Sequence, residues 1–251
     1  MAAQFGLFII SLIANTFSAF SGGGAGLLQF PALIFLGLPF AIALATHKVA
    51  SVALGVGAAF RHYKERNLHL QLSVLMVVSG VPGVLLGAWG ILAVPEQAAQ
   101  IALGLLTIGL GIYSVCKPKL GTENLFQQLT LKRAMAAGCG LFIIGILNGS
   151  LTSGTGLFVT LWLVSYLKLD YQRAVAHTLV WVGVIWNGTG AGLLGVLGQV
   201  HWSWLPALLA GSLLGGYFGA HLSIKKGSQV IKRAFETVTI LVGLALLVKA
   251  F

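Results

Sequence analysis

Charge is what this sequence has least of. Only 8% of its 251 residues are Asp, Glu, Lys or Arg, against about a quarter in an ordinary soluble domain, and just five are acidic. So few charges cannot cover a water-facing surface. With 57% apolar residues and a mean hydropathy of +0.95, most of the exterior must face lipid. At about 20 residues per helical span, the length allows about eight to ten crossings and leaves nothing for a soluble domain. Cysteine is scarce as well: Cys116 and Cys139 lie in or beside apolar runs. Their spacing excludes a disulfide scaffold, a zinc site or an iron–sulfur centre, and both read as packing residues. No basic stretch precedes the apolar run from Phe5, so the first segment is expected to stay in the membrane rather than be cleaved. There is no Ser/His/Asp set, no His-Glu-x-x-His run and no carboxylate pair in the loops, so neither an enzyme nor a metal or other cofactor is expected.

What is present is a succession of apolar runs broken by charge, Gly, Pro or Asn. Ten segments are expected, near 3–21, 25–38, 41–60, 70–93, 97–116, 132–150, 156–167, 171–195, 203–223 and 229–250. They are too long, and lack the alternation, for strands of a lipid-facing barrel. The fold class is therefore an all-α polytopic membrane protein. The second and seventh runs are short and each follows a glycine-rich break, which predicts broken or re-entrant helices. The net charge of +10 would suit a nucleic acid, but thirteen of the fifteen basic residues fall in four short loops or flanks. These are Arg61, Lys64 and Arg66; Lys117, Lys119, Lys132 and Arg133; Lys168 and Arg173; and Lys225, Lys226, Lys232 and Arg233. With ten crossings all four lie on one face, which the positive-inside rule makes the cytoplasm. The bilayer, not nucleic acid, is the expected partner.

The stretch 118–131 is the only long polar linker, and it divides the chain into 1–117 and 132–251. The halves repeat at an offset of 130 to 132. Gly23–Gly26 falls on Ser153–Gly156, Ala43–His47 on Ala174–Thr178, and His69 on His201. Gly83, Gly87 and Ala88 fall on Gly215, Gly219 and Ala220. Five segments is an odd number, so two such halves would be inverted repeats, an architecture of secondary transporters whose site lies at the midplane between broken helices. The breaks supply candidate site residues. Gly23, Gly24 and Gly26 allow close backbone approach, and Asn148, Ser150, Thr152, Ser153 and Thr155 add an amide and hydroxyls around the second break. Helices restarting after such breaks aim N–H groups at an anion. Lys48 is a cation well inside an apolar segment with no evident carboxylate partner, which a mobile anion would satisfy. Thr46 and His47 align with His177 and Thr178; the two histidines could donate to an anion or carry a proton. Asn187 is a further path-lining candidate. Glu236 is expected to pair with Lys232, one turn earlier. The glycine spacings at 83 and 87 and at 211, 215 and 219 are assigned to helix packing. Gly22–Gly26 is not a dinucleotide fingerprint, because no strand precedes it.

These residues resemble a known family. The glycine break with Pro31, then Gly37-Leu38-Pro39, Ala43-Leu44-Ala45-Thr46, and Arg61-His62-Tyr63 with Asn67 in a basic loop resemble the N-terminal half of the sulfite exporter TauE/SafE family, and the second half repeats the pattern. The resemblance implies a multi-pass bacterial inner-membrane protein moving small, mostly sulfur-containing anions such as sulfite, thiosulfate or organosulfonates, generally outward. Two departures stand out: His47-Lys48 follows the threonine where a serine is usual, and Glu65-Arg66 replaces a glycine in the basic loop. A metal or other cation permease and a non-transporting membrane scaffold stay open as alternatives. So do proton or other ion coupling and homo-oligomerisation.

Overall fold

Lipid offers no hydrogen bonds, so a spanning backbone must satisfy itself internally and helices follow. The computed structural model describes residues 2–23, 25–63, 65, 68–90, 96–151, 154–196 and 200–250, and among them no residue is in a strand. The helices are α1 (Ala2–Ser21), α2 (Ala25–Phe35), α3 (Phe40–Tyr63), α4 (Leu70–Gly90), α5 (Glu96–Val115), α6 (Leu131–Leu151), α7 (Thr155–Ser165), α8 (Tyr171–His177), α9 (Asn187–Val196) and α10 (Leu205–Ala250). A π-helical stretch, Thr178–Trp186, joins α8 to α9 in one rod. Among the described residues, six helical runs are long and apolar enough to cross a membrane. The protein is therefore a multi-pass membrane protein. By contrast α2 and α7 have 11 residues each, about 16 Å of helix, half of a 30 Å hydrocarbon core.

Glycine sets the ends. Gly22 and Gly23 have φ of 91° and 135°, and both their N–H groups donate to the Ser18 carbonyl, at 3.0 and 2.9 Å, closing α1 much as a left-handed cap does. Gly154, with φ of 75°, opens α7. The expected gap between the last two segments shrinks to one residue, Gly227 (φ 76°, ψ 173°), which divides α10 into two rods. At the start of α8 the Asp170 carboxylate accepts the Arg173 N–H at 2.8 Å, a side-chain N-cap.

Helices in lipid associate by close packing of small residues rather than by hydrophobic burial. The first rod of α10 lies along α1, and α4 lies along α6. The glycines assigned to packing sit in these two seams. A Cβ on Gly83 would stand 2.3 Å from the Phe142 carbonyl oxygen and one on Gly87 2.0 Å from that of Ile146. On the other seam, a Cβ on Gly215 would be 2.7 Å from the Leu12 oxygen and one on Gly219 2.3 Å from that of Thr16. Between α3 and the π-helical stretch, Gly55 faces Gly183, and an added Cβ on either would be within 2.8 Å of the other's backbone. Gly80 makes room for the fully buried Trp186, whose indole N–H donates to the Met76 carbonyl at 2.9 Å.

The 118–131 linker docks on the α7–α8 turn: Leu125 N–H donates to Lys168 O and Tyr171 N–H to Gly121 O, each at 2.9 Å. One sequence expectation changes here. Cys116 and Cys139 are free but exposed rather than packed inside. On a membrane protein an apolar thiol gains nothing by facing inward, since lipid is as apolar as the core. The Lys232–Glu236 pair forms as expected, and Lys232 also donates to the Ser114 carbonyl at 2.7 Å.

Candidate functional site

The two glycine breaks meet. A Cβ on Gly23 would lie 2.6 Å from the Gly156 carbonyl carbon and 2.7 Å from the Leu157 nitrogen, so backbone touches backbone where α2 and α7 begin. The Thr160 hydroxyl donates to the Gly22 carbonyl at 2.6 Å and shares a second bond, of 2.9 Å, with the Thr178 hydroxyl. Beside this contact is a cavity of about 40 Å³, lined by the first two residues of α2 (Ala25, Gly26) and of α7 (Thr155, Gly156). Ser18, Gly23, His47, Ser51, Leu54, Thr178, Leu179, Val182, Gly183 and Asn187 complete the wall. That is room for about one or two water molecules. Four of its lining residues are on the π-helical stretch, a rare geometry that favours functional positions. A groove of about 700 Å³ between α3 and α10 is larger, but its walls are Phe60, Leu213, Leu214 and Tyr217 with Arg61, Glu65 and His221. No break residue lines it.

The cavity's polar wall is fixed from behind. Buried His47 meets Gln29 Oε1 through Nδ1 at 2.8 Å and the Ser51 hydroxyl through Nε2 at 3.2 Å. That set assigns the proton to Nδ1 in the neutral ring, with Ser51 donating to Nε2. Gln29 Nε2 donates in turn to Ser11 at 2.9 Å, within a buried cluster that includes Asn15 and Ser212. Gln29, Ser18 and Ser51 were not singled out from the sequence, although Gln29 is the one side chain with hydrogen-bonding groups in α2, and Ser51 lies one turn after His47, on the same face.

Lys48 is fully buried, but it does not line the cavity. Its Nζ donates to the Asn148 carbonyl at 2.8 Å, and among the described residues no carboxylate pairs with it. Asn148 stands between: its Nδ2 donates to the Thr155 hydroxyl at 2.9 Å and to Asn187 Oδ1 at 3.4 Å, and both of these line the wall. The cation is thus one residue layer behind the cavity. Of the other sequence candidates, Gly23, Gly26, His47, Thr155, Thr178 and Asn187 come together there. Ser150 turns back to its own helix, donating to the Ile146 carbonyl at 2.9 Å. Gly24, Thr152 and Ser153 lie outside the described residues.

Thr46 and His177 point to opposite ends instead. The Thr46 hydroxyl accepts the backbone N–H of His201 at 2.9 Å, and His177 Nε2 accepts the backbone N–H of His69 at 3.0 Å. Thr46 thus ties down the turn that leads into α10, and His177 the turn that leads into α4. His69 titrates below its ordinary range, because burial disfavours its charged form and Arg173 adds to this, with Asp170 opposing.

Against this geometry, comparison with known proteins is informative. The family model described as "Sulfite exporter TauE/SafE" matches residues 7–246. A "Probable membrane transporter protein" of Haemophilus influenzae is 29% identical over 229 residues, covering 90% of this chain and 87% of its own. The "Probable membrane transporter protein YfcA" of Escherichia coli K12 is 28% identical, with 96% and 88% covered. The more distant "Probable membrane transporter protein YunE" of Bacillus subtilis is 22% identical, with 96% of each chain covered.

Proposed function

Because the chain belongs to the sulfite exporter TauE/SafE family, we propose that it is a secondary transporter carrying small sulfur-containing anions, such as sulfite, thiosulfate or an organosulfonate, outward across a bacterial inner membrane. The observation that carries this is the convergence of two helix N-termini on one cavity: the first two residues of both α2 and α7 line it. Each N-terminus bears roughly half a positive charge from its aligned peptide dipoles, and together they favour an anion without the desolvation penalty of placing a cation in the cavity itself. Lys48 adds a full charge one layer back. The hydroxyls of Ser18 and Thr155 and the amide of Asn187 donate to oxyanion oxygens, since the Ser51 and Thr178 protons are already committed to His47 and Thr160. Such a wall suits an anion better than a metal ion, which would select clustered carboxylate, imidazole or thiolate ligands; among the described residues no such cluster of three exists.

The transport cycle we propose is alternating access by two inverted repeats, 1–117 and 132–251, rocking about the junction of the breaks. Its support is the crossed pairing of the halves. The seams α1–α10 and α4–α6 use glycines at matching positions, and the Thr46–His201 and His177–His69 bonds are matching contacts at opposite ends. A cavity of about 40 Å³ is too small for an anion and its shell, so loading requires the halves to part.

Two measurements test this. Thermal unfolding of the purified protein against sulfite, thiosulfate, sulfate and sulfoacetate should show concentration-dependent stabilisation by one of them, about 2.7 kcal/mol at a hundredfold excess over Kd. Proteoliposomes loaded with that anion should release it, and release should be slower from Asn187→Ala vesicles. Stabilisation by divalent cations alone, or no flux of any anion, would refute the proposal.

A further inference from the structure

The two crossed bonds at opposite ends of the molecule are alike except in the chemistry of the acceptor. Thr46 is the seventh residue of α3 and His177 the seventh of α8, each about 9 Å from its helix start at 1.5 Å per residue. One accepts a backbone N–H with a hydroxyl, which never titrates; the other uses an imidazole nitrogen, which does. His177 Nε2 has a single lone pair. A proton arriving there and the N–H of His69 compete for it, and both cannot be accommodated.

The surroundings supply further capacity for a proton. Among the described residues, neither ring nitrogen of the fully buried His62 has a partner, nor has His69 Nε2; the Nδ1 of fully buried His177, which carries the ring's proton while Nε2 accepts, has none either. The rings of His69 and His177 stack at 5.9 Å with 5° between planes, and His62 acts on His177 electrostatically. Unsatisfied buried polar atoms cost about 1–3 kcal/mol each, and a native structure keeps them for a reason. The charged groups facing the cluster are Arg61 from α3 and Glu65 from the turn after it, paired with each other, and Asp170 and Arg173 at the α8 start, also paired. From α10 come His221, which accepts from Arg61 Nε at 3.2 Å, and the Lys232–Glu236 pair near Tyr171. Lys64 and Arg66 lie outside the described residues. Among the described residues each of these carboxylates is already paired, which leaves the ring nitrogens to take an added proton.

We propose that His177, with His62 and His69, is a proton-binding site in which protonation of His177 Nε2 displaces the His69 N–H and undocks the start of α4 from α8. His69 is where α4 begins: its carbonyl accepts both the N–H and the hydroxyl of Ser73, each at 2.9 Å. Its release therefore frees the end of a rod that lies along α6. The Thr46–His201 contact at the other end has no such response, so a proton loosens one end only. That this bias drives a cycle rests on the transport proposal above; the proton site does not.

Hydrogen exchange of the intact protein in lipid nanodiscs, read at the His69 amide from pH 8 to pH 5 and corrected for intrinsic exchange, tests the site. The expected result is loss of at least tenfold in protection as pH falls in the wild type. His177→Thr, which copies the acceptor at position 46, should hold protection constant. His177→Gln, an acceptor of similar size that does not titrate, serves the same purpose should threonine leave too large a void, with cooperative unfolding as the check that either variant is folded. Protection independent of pH in the wild type, or equal losses in wild type and variants, would overturn the proton site. Anion flux under an imposed pH gradient then reads the coupling: wild-type flux should respond and that of the variants should not. Flux indifferent to the gradient overturns the coupling, whereas no flux of any anion overturns the transport proposal and leaves the exchange result to decide the proton site.

Discussion

Gly23→Ala should be among the most damaging single-methyl changes in the protein. The new Cβ would lie 2.6, 2.7 and 2.8 Å from the Gly156 carbonyl carbon, the Leu157 nitrogen and the Gly156 Cα, against about 3.5–4.0 Å for a relaxed carbon contact. All three atoms are backbone, so no side chain can swing away, and overpacking of this kind costs about 1–3 kcal/mol. The residue also holds φ at 135°, where a side chain adds about 1–3 kcal/mol of strain. The lower entropy of unfolded alanine offsets at most about 1 kcal/mol. The net loss is about 1–5 kcal/mol, or roughly 2–20 °C in Tm for a chain of this size. Gly156→Ala approaches the same contact from the helical side, where its Cβ would be 3.1 Å from the Gly23 Cα with no φ strain, and should cost distinctly less. Gly109→Ala, with nothing within 4 Å, should be neutral or stabilising by up to about 1 kcal/mol as a helix-interior change. Scanning fluorimetry on the six tryptophans in one detergent ranks the three. Gly23→Ala melting with the Gly109→Ala variant would mean that the breaks do not pack backbone to backbone.

Two further changes separate charge from packing. Lys48→Met removes a buried cation held by one carbonyl and should leave stability unchanged or raised, since a well-packed apolar group avoids the desolvation penalty. A unit charge at roughly twice contact distance acts with about 2 kcal/mol at an effective dielectric of about 20, so anion affinity should fall about thirtyfold in a thermal-shift titration. Affinity within twofold of wild type would remove Lys48 from the site. Lys232→Met strands Glu236, whose other partner is the Ser114 hydroxyl, and should cost about 3 kcal/mol. The double change with Glu236→Leu should recover most of it in a double-mutant cycle, and additive losses would show the pair to be energetically idle.

Why was so much of the frame legible, and so little of the site's inner wall? Helix ends in lipid are set by local chemistry: glycine runs, a polar residue, a basic loop. The expected 41–60, 97–116 and 132–150 accordingly stand beside the observed Phe40–Tyr63, Glu96–Val115 and Leu131–Leu151. The breaks were legible because four glycines in five residues are incompatible with continuing a helix. Facing was not. Thr46, His47 and Lys48 are consecutive and so splay about 100° apart around α3; the first reaches a turn, the second lines the cavity and the third reaches Asn148. Which of the three turns inward depends on neighbours that a linear pattern does not name. On the other side, nine residues of π-helix, Thr178–Trp186, shift the phase of everything after His177. A 3.6-residue period from Thr178 reaches Val182, four residues on, but puts Asn187, nine residues on, on the opposite face of the rod; the wider π turns bring it round to the cavity. No residue in that run announces the wider turn.

In the inverted-repeat arrangement proposed above, the matching parts and the unmatched parts of the two halves divide the work. Glycine seams recur on both sides: Gly87 against the Ile146 oxygen at 2.0 Å, Gly219 against that of Thr16 at 2.3 Å. The polar interior does not recur, since Lys48 aligns with Leu179, Thr46 with His177 and Glu236 with Gly104. A doubled scaffold can hold two equivalent conformations of opposite facing only if its seams are energetically alike, whereas a ligand or proton needs differences to act on. Gly87→Ala and Gly219→Ala each push a methyl into a partner carbonyl and should lower stability by similar amounts, about 1–3 kcal/mol each. Lys48→Leu and Leu179→Lys, although formally exchanged across the halves, should differ sharply. The first deletes a charge held by Asn148, and the second places one against the two helix N-termini of the cavity, where like partial charges repel it. A thermal-shift series of the four variants decides this. Seam variants that differ by more than about 3 kcal/mol would argue that the halves are not mechanically equivalent, and the alternating-access cycle would lose its structural basis.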